Sequence, residues 1–239
     1  MQEKLVEHYS KLLQSNETDF RFASLRKLVL KELKGHSVLD LGCGTGHLTK
    51  ELLKRNYDVT AIDIEKEMVE LAREFCKKKD IKVMGVEDIK HLGKERFDNV
   101  FCLDVIEHVK DDINALKKIN YVLKPGGRAI ITVPSIKLLY GKRDKEIGHY
   151  RRYSEKELRS KLKKANLKII KMRYWNFLGF FPYFIFEKIL NKRINENLRY
   201  SKKNFIKRLL NKLLYFWLTF EGNTLVPIGI TLFCIAKKR

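Results

Sequence analysis

The run Val38-Leu39-Asp40-Leu41-Gly42-Cys43-Gly44-Thr45-Gly46 places a carboxylate and three glycines where an apolar stretch gives way to a helical pattern. Glycines tolerate positive φ and carry no Cβ, so their backbone can lie directly against a nucleoside at a strand end and helix N-terminus. Asp40 offers a carboxylate to a cationic ligand group. Asp63 closes the next apolar run, 17 residues beyond Gly46. An acidic side chain at such a strand end can accept hydrogen bonds from both hydroxyls of a ribose. The glycines are spaced G-x-G-x-G, which departs from the G-x-G-x-x-G dinucleotide fingerprint.

Two further segments carry reactive side chains. In Cys102-Leu103-Asp104-Val105-Ile106-Glu107-His108, the acids and the imidazole stand at i, i+3 and i+4, and share one face if the segment turns helical. Asp104, Glu107 and His108 could then hold Mg, Mn or Zn, and a metal would lower the pKa of a coordinated hydroxyl. The alternative is an active-site wall with capping polarity. In Gly148-His149-Tyr150-Arg151-Arg152-Tyr153, His149 is a candidate general base and the arginines suit an anionic or phosphorylated acceptor. The competing reading pairs one arginine with a carboxylate and packs the tyrosines on a sheet.

The elements that must position these groups follow from periodicity. Helical spacing over 20–33 is followed by a strand at 36–42, a helix at 47–56, a strand at 58–64, a helix at 66–78 and strands at 81–86 and 97–105. A helix at 113–123, a turn at Lys124 to Gly127, a strand at 128–134, a capped helix from Ser154 and strands at 167–175 and 229–238 complete the series. Such alternation predicts a doubly wound, mostly parallel α/β sheet, with ligands at the carboxyl ends of its strands. The 239 residues read as a single domain: N-terminal helices over 1–34, a core over 36–175, a basic apolar helical insertion over 176–226, and the last strand over 227–239.

On VLDLGCGTGHLT (38–49), Asp63, FDNVFCLDVIEHV (97–109) and LKPGGRAIITVPS (123–135), the chain resembles the class I S-adenosylmethionine-dependent methyltransferases. The resemblance spans roughly 36–175. It implies a Rossmann-like sheet of seven strands, S-adenosylmethionine as methyl donor and S-adenosylhomocysteine as product. It sets Gly42, Gly44 and Gly46 beside the methionine part, Asp40 at its amino group, Asp63 at the ribose, and Glu87 and Asp88 near the adenine. Cys43, Ile64 and Leu103 join the same cofactor-binding set. Asp104-x-x-Glu107-His108 is similar to the Glu-x-x-Glu-His of ubiquinone-biosynthesis O-methyltransferases, with Asp104 for the first Glu. Asp104, Glu107, His108 and His149 are accordingly the expected catalytic residues, with O-methylation of a small-molecule or lipid-linked acceptor as the expected reaction.

Charge narrows the partners. The chain carries 50 Lys and Arg against 29 Asp and Glu, a net +21. Residues 168–239 hold 15 of the basic and 3 of the acidic side chains. That imbalance predicts attraction to polyanions. In the insertion, NFLGFFPYFIFEKIL (176–190) and NFIKRLLNKLLYFWLTF (204–220) set basic edges against aromatic faces, a composition suited to an anionic membrane surface or to plain packing on the sheet or a second subunit. An RNA methyltransferase and a non-catalytic cofactor sensor are the alternative classes. No separate RNA-binding module is visible, and nucleic acid is the less favoured partner. Four cysteines without a Cys-x-x-Cys pair fit a reducing compartment. With neither a signal peptide nor a spanning run, the expectation is a cytoplasmic monomer or homodimer, peripheral on the inner membrane leaflet.

Overall fold

The computed structural model describes residues 19–190 and 205–239. Residues 1–18 of the N-terminal helices expected over 1–34, and residues 191–204 of the 176–226 segment, lie outside those described. Seven strands form one sheet: β1 (Ser37–Leu41), β2 (Asp58–Asp63), β3 (Ile81–Val83), β4 (Phe97–Leu103), β5 (Leu123–Pro134), β6 (Leu167–Trp175) and β7 (Thr231–Lys238). Their order is β3-β2-β1-β4-β5-β7-β6, with β7 antiparallel to both of its neighbours. The helices are α1 (Phe20–Leu30), α2 (His47–Lys54), α3 (Lys66–Cys76), α4 (Asp112–Val122), α5 (Lys142–Glu146), α6 (Glu155–Lys164), α7 (Phe180–Phe184) and α8 (Phe205–Glu221).

The continuous apolar runs exist because both sheet faces are covered. Side chains alternate across each strand, so Val38 and Phe101 enter one core while Leu39 and Val100 enter the other. The first core holds Leu25, Leu28 and Val29 of α1 with Leu48 and Leu52 of α2. The second holds Leu116 and Ile119 of α4 with Leu158 and Leu162 of α6. Ser154 Oγ accepts from the Glu157 amide and starts α6 where the capping pattern indicated. The Glu157 carboxylate pairs with Lys137 and Lys161.

Strand order reverses between β1 and β4. Their carboxyl ends, Leu41 and Leu103, therefore flank the crevice where ligands bind in such sheets. Among the described residues, two helical segments lie between β6 and β7: α7, which runs into a π turn at Ile185–Ile189, and α8. The inner side of α8 is fixed on the body of the protein. Its Tyr215 carbonyl accepts from Ser24 Oγ, its Leu218 carbonyl accepts from Trp175 Nε1, and the buried Glu221 accepts from the Phe177 amide.

Candidate active site

Three cavities, of about 600, 270 and 250 Å³, meet at the end of β4, and Asp104 lines all three. The largest runs past Asp63 and Ile64 at the end of β2 and past Met84, Val86 and Glu87 after β3. Ile64 is 67% exposed there, an apolar side chain left open at a strand end. Asp63 Oδ2 accepts from the Gly44 amide at 2.7 Å and Oδ1 from the Glu65 amide at 3.0 Å, which fixes the carboxylate at the cavity wall. Glu87 is on that wall as expected. Asp88 is not: it is exposed and begins the 3-10 turn Ile89–Leu92, so only the first of the two acids faces the cavity.

The second cavity is lined by Asp40, Gly42, Cys43, Gly44, Thr45 and Leu103. Gly42, Gly44 and Gly46 have φ of +76°, +50° and +81°, the left-handed region that glycine tolerates. Their surroundings separate them. A Cβ on Gly44 would meet nothing within 4 Å, so the open side of the turn is there. A Cβ on Gly46 would lie 2.8 Å from Cys76 Sγ and 3.0 Å from Ala72 Cβ, both on α3. Gly46 is therefore needed for the approach of α2 to α3 and does not border the cavity, contrary to the expectation from sequence. Gly42 backs onto Val105 and still lines the wall. Burial pushes the Asp40 carboxyl up to about 6, despite the hydrogen bond of 2.6 Å from Thr49 Oγ1. Burial likewise raises the Cys43 thiol, which stays neutral.

The third cavity is lined by Arg21, Phe22, Asp104, Glu107, His108 and His149, among others. Here the helical face expected for Asp104, Glu107 and His108 is absent. Asp104 takes φ +55°, and the chain then makes one short 3-10 turn, Ile106–His108. Asp104 is instead held by partners outside this segment. Its Oδ1 accepts from Thr132 Oγ1 at 2.8 Å and its Oδ2 from Arg21 Nη2 at 2.7 Å. Burial opposes ionisation, but the Arg21 guanidinium and these bonds hold Asp104 below the usual carboxylate range. With both oxygens engaged, Asp104 leaves the metal set proposed from sequence.

His149 takes its place. Glu107, His108 and His149 each offer a ligand atom within 4.8 Å of the others, a metal-competent cluster among the described residues. Glu107 is fully buried, and neither of its carboxylate oxygens has a hydrogen-bond partner among the described residues. Burial first, and the Asp104 charge second, push its carboxyl well above the ordinary range. Burial also lowers His108, with the neighbouring His149 contributing. The two imidazole rings meet edge to face at 4.6 Å.

Sequence reasoning missed the group that orients His149. Asp144, on α5 and fully buried, lies 2.8 Å from His149 Nδ1, which leaves Nε2 directed toward Glu107 Oε1 at 3.8 Å. Asp144 also accepts from Arg152 Nε and the Gly141 amide. Burial raises its carboxyl, but the His149 and Arg152 bonds outweigh that and bring it down to about 2. His149, oriented by the Asp144 carboxylate, lines the third cavity beside Glu107, the arrangement of an oriented general base. Nothing in Lys142-Arg143-Asp144-Lys145-Glu146 marks its central acid as buried. Arg21, carried by α1 to the rim of the site, was equally unmarked.

The arginine-tyrosine segment after His149 is structural for the most part. Arg152 is buried against Asp144, Arg151 pairs with Asp112 at 2.9 Å, and the buried Tyr153 hydroxyl donates to Asp112 at 2.8 Å. These contacts correct the expectation that Arg151 and Arg152 are open to grip an acceptor. Tyr150 alone is half exposed, on the wall of the largest cavity.

Comparison with known proteins bears on the domain and the fold. Residues 39–131 match the family described as a methyltransferase domain. A ubiquinone biosynthesis O-methyltransferase of Xanthomonas euvesicatoria is 37% identical over 105 residues, 42% of this chain and 44% of that protein. The chain thus matches less than half the length of this curated relative. A methyltransferase from Archaeoglobus fulgidus, described as dependent on S-adenosylmethionine, superposes with a TM-score of 0.61 at 18% identity, over 95% of this chain and 99% of that one. The 1,6-didemethyltoxoflavin N1-methyltransferase of Burkholderia thailandensis, solved with S-adenosylhomocysteine bound, gives 0.55 at 18% identity, over 99% of this chain and 89% of that one. The seven-stranded sheet is the Rossmann-like methyltransferase fold.

Proposed function

We propose, on the premise that residues 39–131 are a methyltransferase domain, that this chain transfers the methyl group of S-adenosylmethionine to a hydroxyl of a small-molecule or lipid-linked acceptor. The observation that carries the reading is the junction at Asp104, where the donor cavities open onto a third cavity faced by the Asp144–His149 pair. The donor supplies a methyl carbon already activated by a sulfonium: its carbon–sulfur bond breaks as the carbon–oxygen bond forms, and the hydroxyl proton must leave.

The chain's residues do the rest. Asp63, held by the Gly44 and Glu65 amides, accepts from ribose hydroxyls, and Ile64, Met84 and Val86 enclose the purine. Asp40 faces the ammonium, and the bare Gly44 backbone lets the amino-acid part lie close. His149 Nε2 takes the acceptor proton while Asp144 fixes its Nδ1–H tautomer, and in-line placement supplies more of the rate than proton removal does. The fully buried, unpartnered Glu107 supports a second reading, in which Glu107, His108 and His149 hold a divalent cation that orients the acceptor oxygen.

Labelled S-adenosylmethionine incubated with lipid, RNA and small-metabolite extracts, with and without chelator, tests both. The first reading expects label in an alkali-stable ether of a lipid or metabolite, unaffected by chelator. Loss of activity with chelator favours the cation. Label in RNA, or tight cofactor binding by calorimetry with no labelled product, favours the RNA methyltransferase or the sensor.

A further inference from the structure

The apolar residues of α8 fall into two sets. Leu218 is buried, and the helix is bonded through Tyr215 and Leu218 to α1 and β6. At 100° per residue, Leu209, Leu210, Leu213, Phe216, Trp217 and Phe220 fall within an arc of roughly 120° on the opposite side. All are between 39% and 61% exposed. Leu178 meets this face across an open apolar groove of about 440 Å³. Phe181, Ile185 and Ile189 on the neighbouring segment are also 44% to 64% exposed. A contiguous exposed apolar patch of this kind marks an interaction site.

Charge identifies the partner. Among the described residues of 176–226, the acids Glu187 and Glu221 are buried at 7% and 0% exposure, whereas Lys188, Arg208 and Lys212 are exposed. By sequence, the stretch 191–204 that joins the two apolar segments contributes Lys192, Arg193, Arg199, Lys202 and Lys203 against the single acid Glu196. An apolar face edged by cations, with its acids turned inward, complements anionic headgroups over acyl chains. A second copy of the chain fits worse, because pairing two such faces would bring like charge together on a molecule of net charge +21. Among the described residues no helix is long and apolar enough to cross a membrane.

We propose that the outer face of α8, with Leu178 and the exposed residues of 181–189, docks in the plane of an anionic lipid surface. The claim does not depend on methyl transfer. It does set the acceptor cavity beside the lipid, since Tyr183 of α7 lines that cavity.

The test uses the full chain and vesicles of phosphatidylcholine with or without phosphatidylglycerol. The protein has two tryptophans: Trp175 is fully buried and Trp217 is exposed, so a blue shift in emission on adding vesicles reports Trp217. The expected result is flotation and a blue shift with phosphatidylglycerol vesicles, both weakened by salt. Leu213→Ser with Phe216→Ser should lower partitioning at least tenfold at an unchanged melting temperature, because both side chains are exposed. Arg208→Gln with Lys212→Gln should lower it several-fold. Absence of flotation and of any blue shift overturns the proposal. So does a dimer in sedimentation that the Leu213→Ser, Phe216→Ser variant abolishes, which would assign the face to a second copy.

Discussion

On the proposed function the crevice has a donor side and an acceptor side, and the two are built in different ways. The donor side is backbone: a glycine turn, two amides pinning Asp63, and a strand end that leaves Ile64 open, all within 40–65 and 84–87. The acceptor side is assembled from side chains far apart in the chain, with Arg21 from α1, Asp104 and Glu107 after β4, and Asp144 and His149 beyond β5. A turn that must accommodate a fixed ligand needs particular residues at particular spacings. A pocket built from long-range contacts can be reached by many sequences, which lets one donor fold serve different acceptors.

The largest effect that would sharpen this contrast is expected at Asp63. Asp63→Ala removes the anchor of the Gly44 amide and the ribose acceptor together, two hydrogen bonds to a charged group at about 1.5–3 kcal/mol each. Calorimetry should find S-adenosylmethionine affinity reduced at least a hundredfold, and a loss under tenfold would move the ribose elsewhere. On the acceptor side, Asp144→Asn should leave that affinity unchanged and lower kcat about tenfold to a hundredfold, since it removes a charge that orients His149 from behind. Equal losses in kcat and donor affinity would merge the two regions.

The glycines divide the donor side itself. Gly46→Ala forces a Cβ against Cys76 and Ala72 at φ +81°, and should cost about 2–4 kcal/mol of stability from strain and overpacking. Gly44→Ala meets open space, so its stability cost should stay near the 1–2 kcal/mol of left-handed strain while donor affinity falls further than in Gly46→Ala. Thermal melts paired with calorimetry on the two variants would reveal any reversal of that order.

The smallest effect concerns pH. Because the Asp40 carboxyl is raised to about 6, the folded protein binds its proton more tightly than the unfolded chain does. Its ionisation therefore lowers stability as pH rises from its unfolded value of 3.8 through about 6, and stability below that window is unaffected by it. Donor affinity should move the opposite way, rising several-fold through pH 6 as the carboxylate forms opposite the ammonium. Asp40→Asn should flatten that rise, and a slope that survives the substitution would point to another group.

The same division decides what could be read from sequence. The alternation of apolar runs and helical spacing located all seven strands, and β6 agrees with its periodic run residue for residue at 167–175. Gly42 and Gly44 were legible because their positive φ favours glycine, and Asp40 and Asp63 because each is an acid at the end of an apolar strand. Gly46 was legible as a glycine but not as a packing glycine, since Ala72 and Cys76 lie a helix away. On the acceptor side, His149 stood out by its chemistry, whereas Asp144 sits in a charged helical run that looks solvated until the fold buries it, and Arg21 reaches Asp104 only through a contact between residues far apart in the chain. The misplacement of Asp104 has a single cause: a left-handed step at φ +55° that no helical spacing anticipates.

His149 is the point at which the account can be tested most directly. With a labelled acceptor fraction and saturating S-adenosylmethionine, His149→Ala should lower kcat by about 10²–10⁴ while the calorimetric donor affinity stays within about twofold of the parent. An unchanged kcat, or a matching loss of donor affinity, would contradict a base that faces the acceptor across the junction at Asp104.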